Sequence, residues 1–307
     1  MSVLILGGAG MLGHRLWLEL RERTDAFVAV RRPFASYRAL GLFEADRTIA
    51  ECDATHDDDL DRALSVTHPD VIVNAVGVVK QRREADHATT TIAVNSLLPH
   101  RLADRCVAAG ARLIHISTDC VFSGARGSYT EADVPDARDL YGRSKLLGEP
   151  VRPGCLTLRT SMVGREIASA HGLVEWFLSR RGETVRGFTR ARFSGLTTIE
   201  LSRVIAMLIE SHQQLAGLWH VAGEPIAKFD LLSMVNDRFR LGSTLEADDS
   251  FVCDRTLDAS RFMNATGYRP PSWPAMVAEL AADPTPYDAW GNQWISNARD
   301  RSTASIS

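Results

Sequence analysis

The sequence predicts an α/β fold in which a doubly wound parallel sheet is joined to a second, smaller C-terminal domain. The first half of the chain alternates short apolar segments with amphipathic ones, a pattern typical of alternating strands and helices. Several of the apolar segments are continuous, as expected of parallel strands that are covered on both faces. The first of them, residues 3–6, runs directly into a glycine-rich turn.

Hydrophobic periodicity assigns the elements of the first half. Strands are expected at residues 3–6, 27–30, 71–74, 113–117 and 156–159, and helices at residues 11–23, 57–66 and 92–109. Gly110 follows the last of these helices and provides a C-terminal stop. This succession of strands and helices is what a doubly wound sheet requires.

The second half is less regular. Helices are expected at residues 172–178, 197–210 and 228–239, with Thr198 as the cap of the second, and a strand at residues 217–221. We therefore assign residues 1–165 to the first domain, to which the chain returns near residues 197–222. Residues 166–282 belong mainly to the smaller domain, which is interleaved with the first. Residues 283–307 are polar and rich in helix breakers, and are expected to form a flexible tail.

Composition argues against several classes of protein. The 307-residue chain has a net charge of −3 with both signs interspersed, which makes nucleic acid an unexpected partner. No apolar run reaches about 18 residues, so no membrane span is expected. The five cysteines form no C-x-x-C pair. Neither a metal site nor a disulfide framework is therefore predicted, and reduced thiols in the cytoplasm are expected.

The turn after the first strand has the form G-x-x-G-x-x-G and opens a helix. Gly7 permits the tight turn, Gly10 lets a pyrophosphate approach the backbone, and Gly13 lets the helix pack close to the sheet. With Met11 and Leu12, they present N–H groups and the positive end of a helix dipole to the phosphates. A Rossmann-type dinucleotide-binding domain is therefore predicted, and a plain strand-to-helix turn is the alternative.

Two further segments bear on the cofactor. Arg31 and Arg32 follow the second strand, where an acidic residue would bind the ribose 2′-hydroxyl of NAD. Arginine suits the 2′-phosphate of NADPH, which we therefore favour, with NADH left open and solvated loop charges as the alternative. The segment Asn74, Ala75 and Val76 ends the strand at residues 71–74, where small residues would let the cofactor lie against the sheet edge. A tight turn between helix and strand is the alternative.

Tyr141 and Lys145 form a Y-x-x-x-K pair, which places both side chains on one face of a helix. A nearby ammonium lowers the pKa of a tyrosine, so Tyr141 is a candidate acid or base near neutral pH. Ser117 and Thr118 follow an expected parallel strand, at the sheet edge where open α/β sheets bind ligands. Thr118 is a candidate to hydrogen-bond a substrate oxygen, and the alternative is that both hydroxyls cap backbone groups.

These motifs together resemble the dTDP-4-dehydrorhamnose reductase branch of the extended short-chain dehydrogenases/reductases. The resemblance rests on the glycine-rich turn and on residues 117–124, 129–131, 141–149, 158–161 and 217–222. It implies a Rossmann-type domain with a substrate-binding domain, a nicotinamide cofactor, and a nucleoside diphosphate that carries a 4-keto-6-deoxy sugar. A homodimer is compatible with it.

The resemblance also implies roles for single residues. Thr118, Tyr141 and Lys145 would form the catalytic triad. Asp53, which precedes Ala54, stands where the family usually places an acid near the adenine. Ser117 is assigned to the cofactor. Asn95 is also assigned to the cofactor and is a candidate anchor of a proton relay, with simple packing as the alternative.

Two departures from the family pattern bear on the reaction. Sugar-nucleotide dehydratases of the superfamily carry Asp-Glu after the threonine, whereas Cys120 follows Asp119 here, which favours simple reduction over dehydration. Met162 stands where the family often has a tryptophan, so an altered sugar pocket is expected. Substrate contacts are assigned to Thr118, Asp119, Cys120, Lys80, Arg186 and Arg192, the two arginines as partners of a diphosphate or, alternatively, as solvated charges.

The sequence thus predicts an NADPH-dependent reductase of a nucleotide-linked 4-keto-6-deoxy sugar, acting in the synthesis of deoxysugar or surface-polysaccharide precursors. In this hypothesis Tyr141 donates the proton, Lys145 lowers its pKa and holds the nicotinamide ribose, and Thr118 orients the carbonyl. Two alternatives stay open. One is a non-catalytic regulatory subunit that keeps the cofactor fold, as in a relative that partners methionine adenosyltransferase. The other is an NAD-dependent epimerase or dehydratase.

Overall fold

The computed structural model describes residues 1–78, 87–167 and 169–291. Its central sheet contains the parallel strands β1 (Ser2–Leu6), β2 (Asp25–Ala29), β3 (Thr48–Ile49), β4 (Val71–Asn74), β5 (Arg112–Ile116), β6 (Cys155–Arg159) and β11 (Gly217–His220). Their order across the sheet is β3-β2-β1-β4-β5-β6-β11. The chain thus runs from β1 to one edge and then crosses to the other, which confirms the predicted doubly wound fold.

Helices cover both faces of this sheet. They are α1 (Gly13–Leu20), α2 (Asp57–Thr67), α3 (Ala88–Ile92), α4 (Leu98–Ala109), α5 (Leu140–Leu147) and α7 (Thr198–Glu210). A π-helical turn, Ala93–Leu97, joins α3 to α4, so the helix predicted at residues 92–109 begins earlier and is interrupted. Among the described residues, none of the helices has both the length and the apolarity needed to cross a membrane.

Alternation along β1 divides the core into two layers. Val3 and Ile5 pack on the side of α1 and α7, where Trp17 is fully buried. Leu4 and Leu6 point to the opposite side, which α2 and α4 cover. Because successive strand residues face opposite ways, a strand that is apolar throughout requires a helix layer on each side.

The remaining elements form a smaller layer beside the carboxyl ends of the strands. They are β7 (Met162–Val163), α6 (Leu173–Leu178), β8 (Thr184–Phe188), β9 (Ala191–Phe193), β10 (Leu196–Thr197), β12 (Ile226–Ala227), α8 (Lys228–Phe239), β13 (Thr244–Asp248), β14 (Cys253–Asp254), α9 (Ser260–Thr266) and α10 (Trp273–Ala282). β7 pairs with β10, β8 with β13, and β9 with both β12 and β14. Between them the chain returns to the central sheet, since α7 packs on α1 and β11 pairs with β6.

The cap of α7 differs from the prediction by one residue. Thr197 is the N-cap, and its hydroxyl accepts a hydrogen bond from the backbone N–H of Glu200. Thr197 has an extended backbone conformation, as an N-cap requires, whereas Thr198 already belongs to the helix. The sequence could not separate two adjacent threonines.

Residues 283–291 are packed, although the sequence predicts that a flexible tail begins at residue 283. Tyr287 and Trp290 are buried, at 3% and 5% exposure. Their aromatic rings give this polar, proline-containing segment enough apolar surface to hold it against the protein.

Three buried histidines make the fold sensitive to acid. His14, His115 and His220 are fully buried, and burial lowers the pKa of each, that of His14 to about 4. Below the ordinary pKa of 6.5, the unfolded chain binds protons that the folded protein does not. We expect the free energy of unfolding to fall between pH 6.5 and 4, by on the order of 3 kcal/mol for His14 alone.

Chemical denaturation measured across this pH range tests the expectation. His14→Gln should flatten the dependence, whereas His171→Gln, at an exposed position, should leave its slope unchanged. An equal slope in wild type and His14→Gln would contradict it.

Candidate active site

The glycine-rich turn between β1 and α1 is packed so closely against neighbouring backbone and side chains that several of its positions have no room for a Cβ. Gly7 has a φ of +83°, and a Cβ there would meet the Ala75 backbone at 3.1 Å. A Cβ on Gly13 would overlap the carbonyl oxygen of Gly7. Gly8, which sequence reasoning did not select, lies so close to the side chain of Val28 that it also excludes a Cβ. The backbone of α1 therefore begins directly against the end of β1.

The other residues of the turn contribute in different ways. Gly10 donates its N–H to the Gly7 carbonyl at 2.9 Å and is partly exposed. Leu12 is buried in the core, so it can offer a ligand only its backbone. Met11 is partly exposed, and its sulfur lies near Gly172 of the smaller layer. The start of α1 therefore lies close to the smaller layer.

The residues assigned to the adenosine end lie at the carboxyl end of β2 and beyond β3. Arg31 and Arg32 follow β2 and are both exposed. Asp53 is partly buried, and its carboxylate accepts hydrogen bonds from the backbone and hydroxyl of Thr55, at 3.0 and 2.7 Å. Burial opposes ionisation, but these bonds keep the pKa of Asp53 below its usual value. The adjacent Ala54 is buried.

Asn74 closes the end of β4. Its side-chain nitrogen donates to Nδ1 of His115 at 3.1 Å, and its side-chain oxygen Oδ1 accepts from the backbone N–H of Val76 at 3.1 Å. Asn74 is fully buried, whereas Ala75 and Val76 are partly exposed. The side chain of Asn74 therefore shapes the turn, and the segment presents Ala75 and Val76 to the sheet edge.

Thr118 and Tyr141 meet at the carboxyl end of β5. Thr118 follows β5 as the cap of a short 3-10 turn, and its hydroxyl accepts from the N–H of Cys120 at 3.1 Å. The hydroxyl also donates to Asp119 at 3.2 Å. Tyr141 lies in the first turn of α5, where Asp139 caps the helix by accepting from the N–H of Gly142 at 2.7 Å.

The pKa of Tyr141 is raised, contrary to the prediction that Lys145 lowers it. Burial is the main cause, and the nearby Cys120 and Asp119 add to it, while a hydrogen bond with Thr118 acts in the opposite direction. Lys145 instead donates from Nζ to the backbone carbonyl of Ile116 at 2.7 Å. Burial lowers the pKa of Lys145 to about 8, with Glu149 acting against the shift.

A buried ion pair that sequence reasoning missed lies beneath Lys145. Glu149 accepts from Nε and Nη2 of Arg159, at 2.8 and 2.7 Å. Ser117, which was assigned to the cofactor, donates its hydroxyl to the same carboxylate at 2.6 Å. Glu149 follows Lys145 by four residues, and this spacing was the available signal in the sequence, although α5 itself ends at Leu147.

Asn95 holds α5 against the segment after β4. Its amide oxygen accepts from the N–H of Val78 at 2.9 Å, and its nitrogen donates to the Val78 carbonyl and to the hydroxyl of Ser144, at 3.1 and 3.2 Å. Asn95 is fully buried in the π-helical turn. These bonds use both donors of the amide, which favours the packing role over a proton relay.

Asp119 and Cys120 lie under the hydroxyls of this site. Burial raises the pKa of Asp119, although Arg255 lies close enough to oppose the shift, and burial raises the pKa of the Cys120 thiol to about 12. Arg255 follows β14 and donates to the carbonyl of Phe122 at 2.9 Å. Sequence reasoning missed Arg255, because nothing in local spacing links it to residues so far away along the chain.

The two described arginines that were assigned to the substrate lie exposed on strands of the smaller layer, each beside an acidic residue. Arg186 is exposed on β8, where Glu246 of β13 is its neighbour in register. Arg192 is exposed on β9 and forms an ion pair with Asp254 at 3.5 Å. Lys80 lies outside the described residues.

The fold and site together define a dinucleotide-binding α/β protein with a Thr-Tyr-Lys group at the carboxyl edge of its sheet. The chain belongs to the RmlD substrate binding domain family, whose model matches residues 1–282. This confirms the resemblance inferred from the sequence.

The relatives of this chain include a methionine adenosyltransferase subunit and a dTDP-4-dehydrorhamnose reductase. The chain is 29% identical over 257 residues to methionine adenosyltransferase 2 subunit beta of Danio rerio, covering 79% of this chain and 75% of that protein. It is 37% identical over 170 residues to dTDP-4-dehydrorhamnose reductase of Mycolicibacterium smegmatis, covering 53% of this chain and 46% of that protein.

Solved structures share the fold. A dTDP-4-dehydrorhamnose reductase from Bacillus anthracis, determined in complex with NADP, superimposes with a TM-score of 0.75. It is 20% identical and covers 91% of this chain and 99% of its own.

The cap of α5 gives a test of how Tyr141 is positioned. Asp139→Ala removes the acceptor for the Gly142 N–H, which should lower the free energy of unfolding by about 1 kcal/mol and let the first turn of α5 fray. We expect turnover to fall with it, since Tyr141 lies in that turn. Asp139→Ser keeps a capping oxygen and should retain most of both. Equal turnover in the two variants would show that the cap does not position Tyr141.

Proposed function

We propose that this protein is an NADPH-dependent reductase that converts the keto group of a nucleotide-linked 4-keto-6-deoxy sugar to a hydroxyl. The observation that carries the proposal is the hydrogen bond between Thr118 and Tyr141 at the carboxyl end of β5, where Lys145 of the same helix binds the Ile116 carbonyl, on the edge where the glycine-rich turn also opens. Membership of the RmlD substrate binding domain family supports the same class of reaction.

The residues at the glycine-rich turn fit a dinucleotide. Gly7, Gly8 and Gly13 keep side chains out of the space between β1 and α1, so the helix N-terminus can approach a pyrophosphate. Arg31 and Arg32 are exposed at the carboxyl end of β2, where a 2′-phosphate would lie. NADP in the Bacillus anthracis relative supports NADPH here, with NADH as a weaker alternative. When bound, the cofactor supplies the hydride.

Tyr141 serves as the proton donor to the carbonyl oxygen. Its raised pKa keeps the phenol protonated at neutral pH, which suits an acid in the direction of reduction. Thr118 has one hydroxyl proton, now donated to Asp119, and can turn it toward the substrate oxygen. Lys145 can exchange its bond to the Ile116 carbonyl for one to a ribose hydroxyl. The three side chains thereby orient the oxygen that receives the proton.

The pair Asp119 and Cys120 supports reduction rather than dehydration. Loss of water requires a second group that takes up and returns a proton. Burial raises the pKa of the Cys120 thiol to about 12, so this thiol stays protonated and is a poor base at neutral pH. The site therefore lacks at this position the second acid-base group that an aspartate–glutamate pair provides.

The second candidate function is that of a regulatory subunit, which the similarity to the Danio rerio methionine adenosyltransferase subunit favours. The presence of Thr118, Tyr141 and Lys145 at the same edge of the sheet favours an enzyme, because a subunit that only binds needs no proton donor.

All five cysteines are free thiols, which fits a reducing compartment, and we propose that the protein acts in the cytoplasm. A homodimer remains a prediction.

Oxidation of NADPH, followed by its absorbance, tests the function with a panel of nucleotide-linked 4-keto-6-deoxy sugars, both plain and 2-acetamido. Tyr141→Phe should lower turnover at least about a hundredfold while NADPH binding is kept, because only the proton donor is lost. No oxidation with any sugar, despite tight NADPH binding, would favour the regulatory subunit.

Cofactor preference tests Arg31 and Arg32. Replacing both with alanine should raise the Kd for NADPH roughly tenfold or more, with a much smaller change for NADH, since only NADPH carries the 2′-phosphate. Arg38→Ala removes an exposed arginine from the following loop and serves as the control. Equal losses for both cofactors would refute the assignment.

A further inference from the structure

Residues 283–291, here termed the C-terminal strap, lie beyond residue 282, where the match to the family model ends. The strap nevertheless packs against the cofactor end of the molecule. Arg15 of α1 forms an ion pair with Asp283 at 3.1 Å, and Tyr287 and Trp290 contact each other edge to face, with ring centroids 5.5 Å apart. An element outside the shared family region therefore contacts the part of the fold that the family shares.

One contact of the strap ends on the glycine-rich turn. Nε2 of His14 lies 2.9 Å from the hydroxyl of Tyr287, and Nδ1 lies 2.8 Å from the carbonyl oxygen of Gly10. A carbonyl can only accept, so Nδ1 carries the proton and Nε2 accepts from Tyr287. Burial keeps His14 neutral, which this arrangement requires. A chain of two hydrogen bonds thus joins the strap to Gly10 of the turn.

A second contact reaches the loop after β2. The indole N–H of Trp290 donates to the carbonyl of Leu40 at 2.9 Å. Trp17 of α1 donates to the carbonyl of Leu42 in the same loop at 2.8 Å. This loop continues from Arg31 and Arg32, so the strap also holds the segment that carries the two arginines.

A third contact joins the strap to the smaller layer. Arg165 lies over the ring of Tyr287, with its Cζ 4.8 Å from the centroid, and pairs with Asp288 at 2.6 Å. The same guanidinium pairs with Glu175 of α6. The strap therefore bridges α1, the loop after β2 and, through Arg165, α6 of the smaller layer.

We propose that the C-terminal strap sets the conformation of the phosphate-binding turn and of the loop after β2, with Tyr287 and Trp290 as positioning residues for the dinucleotide. The proposal rests on the proposed function. Losing either contact lowers the population of the binding-competent turn, and the apparent Kd rises by the inverse of that fraction. By linkage, a bound dinucleotide must stabilise the strap in return.

Tyr287→Phe removes only the hydroxyl that binds His14. Its Kd for NADPH, measured by fluorescence titration, should rise roughly three- to tenfold. The matched control is Tyr268→Phe, which removes a hydroxyl that donates to Glu200 of α7 at 2.9 Å rather than to His14. Both variants should lower the Tm, but only Tyr287→Phe should weaken NADPH binding.

The tryptophans give a second matched pair. Trp290→Phe removes the indole that binds the Leu40 carbonyl, whereas Trp273→Phe removes one that binds the Glu224 carbonyl at 2.7 Å. Only Trp290→Phe should raise the Kd for NADPH, again roughly three- to tenfold. This pair keeps the test decisive if Tyr287→Phe fails to fold.

Hydrogen exchange of wild-type residues 283–291 tests the reciprocal effect. We expect NADPH to slow exchange there severalfold. Unchanged exchange, together with wild-type Kd values for both strap variants, would overturn the strap proposal while leaving the reductase intact. A wild-type protein that does not bind NADPH would overturn both.

Discussion

The close approach of two helices to the loops that leave β1 and β5 is the constraint on which the site depends. Gly13 brings α1 against the carbonyl of Gly7, and Gly142 brings α5 against the carbonyl of Cys120, in each case with no room for a Cβ. The parallel sheet fixes those loops through its backbone hydrogen bonds. The helices therefore begin at fixed positions over the sheet edge. Both the phosphate-binding turn and Tyr141 inherit their location from these backbone contacts.

Burial dominates the electrostatics of the site that this packing creates. It raises the pKa values of Tyr141 and Asp119 and lowers that of Lys145, so each group is moved toward its neutral form. The ion pair between Glu149 and Arg159 lies below Lys145 and keeps a carboxylate near the ammonium. A site with these properties holds a phenolic proton at neutral pH, which is the state from which the proposed reduction starts.

Local sequence patterns predicted much of the fold and the centre of the site. The spacing of Gly7, Gly10 and Gly13 and the continuous apolar strands depend on neighbours in the chain, so the sequence displays them directly. The sequence does not display the partners of Lys145 and Arg255, because each of these side chains donates to a backbone carbonyl that only the folded chain brings near. The mistaken pKa direction for Tyr141 has the same origin, since spacing reveals a neighbouring charge but not the depth of burial.

The packing of residues 283–291 shows why composition misjudges such a segment. Its polar and proline-rich sequence is typical of a tail, yet two aromatic rings and two carboxylates are enough to hold it when the complementary groups lie on three separate elements. No sequence pattern marks these groups as partners of the strap. His14 occupies an ordinary helix position, and a backbone carbonyl such as that of Leu40 is present at every residue. An element of this kind can alter a shared binding turn while every residue of the family motif stays the same. Differences between relatives in cofactor affinity therefore need not lie in the motif residues.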